Sequence, residues 1–331
     1  MRLYQRACSV VATEGISGLS RRIVHKYLKN NGGGISSSVS REEEALASIE
    51  EYYRLARQFS EKALEMGHEG LEHYFWYHTI DLGNGLITPG TYDYRSNLEA
   101  FKFPSDMTGM NVLDIGSATG FFAFEFEKRG ATVMSVEIPS IADFDRFPGQ
   151  TVEQTCLNFE RAQKELRLYS DEQRRQIFRN STLEELYTLF LDGPFRFCHK
   201  ILNSKVRRCY SRIYDLSRNL GPDTFDLVFL GDVLIHTINP LQALAVVAPL
   251  CRGTVIIAQD TNGVSDSEAA MLYIGGDEAE DNACWWLPNN RCFEQVLRKL
   301  GFKDVALVGN NIGIFRPLGA SYNRTIIHAG K

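Results

Sequence analysis

Beyond residue 110 the chain alternates between short apolar runs and longer amphipathic stretches. Residues 111–115, 132–137, 206–211, 225–230, 254–259, 304–308 and 325–328 read as strands, most being rich in Val, Ile, Leu and Phe between turn-forming residues. Helical periodicity fills most of the intervals. This alternation predicts an α/β fold, a doubly wound and mostly parallel seven-stranded sheet with helices on both faces. One interval is long: about 65 residues lie between the second and third strands. It has helical stretches at 153–168 and 183–191, so residues 140–204 read as a helical insertion. Such an insertion is either a lid or binding element over the sheet or a cap without function of its own.

Ahead of the sheet the pattern changes. Residues 1–30 are amphipathic and helical, with Leu3, Val10, Ile16, Leu19, Ile23 and Leu28 interleaved with six basic residues against the single acid Glu14. A basic amphipathic helix either touches an anionic membrane surface peripherally or docks on protein. Residues 30–40, NNGGGISSSVS, have the composition of a flexible linker. Ser40 with Glu43 forms a capping-box pattern, predicting a helix from Ser40 toward Met66. An aromatic segment follows, YFWYHTIDLGNGLITPGTYDYR, punctuated at Gly83, Asn84-Gly85 and Pro89-Gly90. The chain thus divides into residues 1–39, a basic helix and linker; 40–105, a helical and aromatic cap; and 106–331, the α/β domain.

Charge and cysteine usage narrow the classes. The net charge is -5 over 331 residues, with a pI of about 5.9, so polyanion binding is not the default. Seven scattered cysteines form no C-x-x-C pair, which speaks against a disulfide framework or structural zinc and for a reducing cytoplasm. No apolar run marks a secretory signal, so the sequons at Asn180 and Asn323 carry little weight. The apolar stretch 241–258 is broken by Pro249, Arg252 and Gly253 and reads as helix then strand.

The chemistry concentrates in VLDIGSATGFFAFEFEKRGATVMSVEIP. Gly116 and Gly120 let the backbone pass close to a ligand. Ala118 lies between them, Phe121 follows, and Asp114 sits at a strand end, where open α/β sheets bind ligands. Glu137, next to Ile138, ends the following strand and can accept hydrogen bonds from both hydroxyls of a ribose. A dinucleotide site would carry G-x-G-x-x-G facing a pyrophosphate. Here Asp114 would repel a phosphate and suits a cation. S-adenosylmethionine (SAM) carries an ammonium and a sulfonium and no phosphate, so the charge pattern favours SAM over NAD.

The stretch resembles motif I of the class I SAM-dependent methyltransferases, and FDLVFLGDVLIHTINP resembles their motif IV. The resemblance implies a Rossmann-like domain with an antiparallel last strand over residues 106–331, and SAM as cofactor. It implies adenine contacts from Ile213 and Tyr214 and a methionine contact from Gly231. Arg212 stands where the family often has an acid. Asp232 and His236 would face the reaction centre, with His236 a candidate general base and His78 a second one. Asp232, His236 and Asp260 are residue types that bind Mg²⁺, but their spacing requires no metal.

A closer resemblance rests on WYHTIDLGNGLITPGTYDYR, GDVLIHTINPLQAL, DNACWWLPN and RTIIHAGK. These are similar to a subgroup labelled tRNA wobble-uridine methyltransferase, whose label also covers enzymes of small molecules and sugars. Trp76, Tyr92, Trp285, Trp286 and Asn289 are candidate walls of an acceptor pocket, or else core packing. Arg95 is a candidate partner for a carboxylate or phosphate. HKILNSKVRRCYSR is locally basic and is read as a solvated face plus one strand, or as a tRNA contact. The leading expectation is O-methylation of a small-molecule or glycan hydroxyl. The alternatives are tRNA wobble-uridine methylation and a non-catalytic SAM-binding protein.

Overall fold

Alternate residues of the central strand feed two separate cores. In β4 (Phe225–Gly231), Leu227 and Phe229 pack on one face while Val228 and Leu230 pack on the other. In β5 (Cys251–Gln259), Ile256 and Ala258 oppose Val255 and Ile257 in the same way. A sheet apolar on both faces must be covered on both faces, which is the doubly wound solution. The computed structural model describes residues 35–166, 171–221, 224–261, 265–276 and 284–331. The expected basic helix over residues 1–30 lies outside the described residues.

The other strands of the main sheet are β1 (Asn111–Ile115), β2 (Thr132–Glu137), β3 (Arg207–Tyr210), β8 (Asp304–Phe315) and β9 (Ala320–Gly330). Their order is β3-β2-β1-β4-β5-β9-β8. The first five pair in parallel, and β9 runs antiparallel to both β5 and β8. The chain winds outward from β1 to β3 and then returns to place β4 beside β1. That reversal opens a crevice at the carboxyl ends of β1 and β4. A separate two-stranded hairpin, β6 (Met271–Tyr273) with β7 (Trp286–Pro288), was not foreseen in the sequence.

Helix α1 (Ile35–Glu65) begins before Ser40 and runs through it, so the expected cap at Ser40 is not a helix start. Its buried positions Ile49, Tyr52, Leu55, Phe59 and Ala63 repeat every three or four residues, an amphipathic stripe laid on the core. Helix α2 (Phe121–Lys128) follows β1. The insertion holds α3 (Val152–Leu166), α4 (Asp171–Asn180), α5 (Leu183–Tyr187), a π-helical turn (Thr188–Asp192) and α6 (Gly193–Ile201). Helices α7 (Leu216–Leu220), α8 (Pro240–Val247) and α9 (Asn290–Lys299) complete the fold. Among the described residues no helix is long and apolar enough to cross a membrane.

Candidate active site

The turn after β1 holds three positive-φ residues in its five. Gly116 has φ 70, and a Cβ there would lie 2.3 Å from Val233 Cγ2. Ala118 has φ 47, uncommon for a residue with a side chain. Its N–H donates to Glu137 Oε2 at 2.9 Å, and Ile138 N–H donates to Glu137 Oε1 at 3.0 Å. Gly120, at φ 92, precedes α2, and its open side is filled by Phe124 and Phe195. The turn is thus tied to the end of β2 through one carboxylate.

Above it lies a cavity of about 310 Å³. Asp114, Gly116, Ala118, Glu137, Ile138, Ile213, Tyr214 and Gly231 all line it, as the sequence led us to expect. Gly120 and Phe121 do not. They support the turn from behind, with the Phe121 ring packed on those of His78, Tyr94 and Phe122. Asp114 is 1% exposed and its Oδ2 has no hydrogen-bond partner. Burial pushes its carboxyl up to about 7, against the pull of the Arg208 guanidinium.

At the far side of the cavity Asp232, at φ 52, accepts a hydrogen bond from Arg324 Nε. Burial raises the Asp232 carboxyl, and the charge of Arg324 opposes it. Arg324 also lies 3.9 Å from Asp260 and over the Tyr322 ring. Arg324 opens the RTIIHAGK segment but was not singled out as a site residue. Only the antiparallel register, Gln259 opposite Thr325, carries it past the end of β5 to Asp232. His236 is exposed at the rim, its Nδ1 3.6 Å from Cys284 Sγ. His78 is buried, with Nδ1 3.1 Å from Thr119 Oγ1, and burial lowers its imidazole to about 3. Asp145 also lines the cavity. It accepts from Arg212 Nη2 (3.0 Å), Tyr214 Oη (2.5 Å) and Ile238 N (2.8 Å).

The six residues expected on the acceptor side stand outside the cavity. Trp76 is in the core against Phe59, Tyr74 and Phe197. Tyr92 stacks on Tyr94 and packs against Phe315. Arg95 is spent on Asp93, at 2.9 and 2.7 Å. Trp285 is 3% exposed, edge-on to Phe147, and Trp286 Nε1 donates to the Ile238 carbonyl. Asn289 caps α9: its Oδ1 accepts from Cys292 N and Ala270 N while its Nδ2 donates to the carbonyls of Ser265 and Glu268. Their rings, the Arg95 guanidinium and the Asn289 amide pack or pair with the fold around them, so neighbours in sequence do not become neighbours in the cavity. Among the described residues no group of three His, Cys, Asp or Glu is placed to hold a metal ion.

Residues 90–307 match the family described as methyltransferase domain. The chain belongs to that family. It is therefore a SAM-dependent methyltransferase, and its sheet is the Rossmann-like arrangement that class carries. The methyltransferase is 31% identical over 88 residues to the tRNA U34 carboxymethyltransferase of Idiomarina loihiensis, a match covering 27% of either chain. It thus spans about a quarter of that curated relative. Among solved structures, magnesium protoporphyrin IX methyltransferase from Synechocystis PCC 6803 with bound SAM has 14% identity and a TM-score of 0.36, over 68% of this chain and 71% of that one. The N-terminal domain of EvdMO1 with SAH and D-fucose has 12% identity and a TM-score of 0.43, over 83% and 96%.

Proposed function

We propose that this methyltransferase moves the methyl group of SAM to a hydroxyl on a small-molecule or glycan acceptor. The charge of the cavity wall carries this reading. Five carboxylates line it, Asp114, Glu137, Asp143, Asp145 and Asp232. Against them stand two guanidiniums, Arg212 and Arg324, each already paired with one of those carboxylates. Such a wall attracts a cationic donor and tolerates an uncharged acceptor. Within the cavity no unpaired guanidinium is presented to a phosphate, the group on which tRNA affinity depends.

The residues present fit SAM. The unpartnered Asp114 Oδ2 suits an ammonium group. Gly116 and Gly231 leave the backbone bare where a Cβ would strike Val233 or Phe229. Glu137 accepts one backbone hydrogen bond on each oxygen, and each oxygen keeps a second lone pair for a ribose hydroxyl. Ile138, Ile213 and Tyr214 provide the apolar side for adenine. Bound there, SAM supplies a methyl group already activated by its sulfonium. His236 takes the proton of the acceptor hydroxyl on its imidazole, from the rim where acceptor arrives. Asp232, fixed by Arg324, faces the same space and orients the hydroxyl. His78, at about 3, is too weak a base for this step and instead holds Thr119 behind the turn.

A second reading, wobble-uridine modification, is favoured by the 88-residue likeness to the tRNA enzyme. Methyl-labelled SAM offered with a metabolite and glycan extract, and separately with tRNA, divides the two. Label in a small molecule or glycan is expected, and label confined to tRNA would replace our reading with the second.

A further inference from the structure

Strand β3 carries Arg208 beneath the turn after β1, with its side chain 6% exposed. Nη1 donates to Ser117 Oγ (3.0 Å), Ser135 Oγ (3.3 Å) and the Ala118 carbonyl (3.4 Å), and Nη2 reaches the same carbonyl. The guanidinium lies 3.8 Å over the Phe195 ring. Asp192 is 3.8 Å from Nε and Glu137 is 4.0 Å from Nη2, while Asp114 feels its charge from β1. The other titratable groups around it act on those acids. Tyr210 donates to Asp192, Arg196 pairs with Asp192, and Tyr187 stands beside Glu137. A buried cation persists only when paired, and here one guanidinium serves three acids and a strained backbone. Ala118 is held at both ends, its N–H by Glu137 and its carbonyl by Arg208.

We propose that Arg208 is a positioning residue of the donor site, holding Ala118 and Glu137 in ligand-binding geometry and lending its positive charge to the carboxylate that meets the ammonium of SAM. This rests on the assignment of the cavity to SAM. The sign follows from the charges. An ammonium pairs with ionised Asp114, so affinity falls as pH drops through the Asp114 titration, near 7. Without Arg208 the buried carboxyl titrates higher, and the acid limb moves to higher pH. The alkaline limb belongs to the ligand's own α-amino group and should not move.

Calorimetry of S-adenosylhomocysteine (SAH) binding from about pH 5.5 to about pH 9 reads both limbs. For Arg208→Met the acid limb shifts up by about one unit, a loss of about tenfold near pH 6 and about twofold near pH 8. Arg208→Lys keeps the charge but not the planar fork, so affinity falls evenly and the acid limb stays near that of the unaltered protein. An acid limb of Arg208→Met superimposed on the unaltered one overturns the proposal. If Arg208→Met does not fold, Asp192→Asn takes its place: removing a competing carboxylate moves the acid limb down, and an unmoved limb counts against us equally. Should the unaltered protein bind no SAH at any pH, the donor-site assignment fails instead.

Discussion

Glu137 joins the turn after β1 to the end of β2 and faces the cavity, so the carboxylate that ties the fold is also open to a ligand. Replacing it with Ala is expected to weaken SAM binding by about 1–3 kcal/mol, read by calorimetry. His236→Ala should leave SAH affinity near that of the unaltered protein and lower turnover by about a hundredfold in a methyl-transfer assay. Asp114, Gly116 and Glu137 were legible because strand ends and a bare turn force residue types at fixed spacing. His78 was legible as a cavity residue but not in its role, since burial and not sequence sets its proton affinity. Arg324 and Arg208 were missed for another reason. Both look like surface charges in sequence, and only strand pairing turns them inward.

The elements divide along similar lines. The interior strands of the main sheet were placed by their apolar runs, because a strand buried on both faces can tolerate little else, whereas the edge strand β3 carries the polar run Arg207–Tyr210. The far end of β8 was not placed, since Gly309, Asn310, Asn311 and Gly313 break the pattern while β9 pairs with it out to Phe315. In the insertion, Gly193-Pro194 lies inside a continuous helical run, where the π-helical turn Thr188–Asp192 accommodates the missing proline N–H and the Leu189 carbonyl accepts from Phe75 N instead. Asn289 shows how an amide misleads. It belongs to the start of α9, and Asn289→Ala is expected to cost about 2 kcal/mol or more, because it leaves several buried backbone groups without partners. Denaturant unfolding measures this, and SAH affinity should be unchanged in the fraction that remains folded.

At the scale of the whole molecule, the site exists because the winding reverses between β1 and β4 and because the last strand returns antiparallel beside β5. The first arrangement sets the turn and Glu137, and the second delivers Arg324. Between them runs the segment after β2, pinned at Asp145 to Arg212, Tyr214 and Ile238 and pressed through Phe147 on Trp285. Those fastenings have a kinetic consequence. Release of the spent donor is expected to require Asp145 to part from these partners, and so to be slower than methyl transfer. A rapid first turnover followed by a slower steady rate is the expected trace in rapid-mixing experiments. Asp145→Ala should shorten the residence time of SAH and flatten that trace toward a single rate.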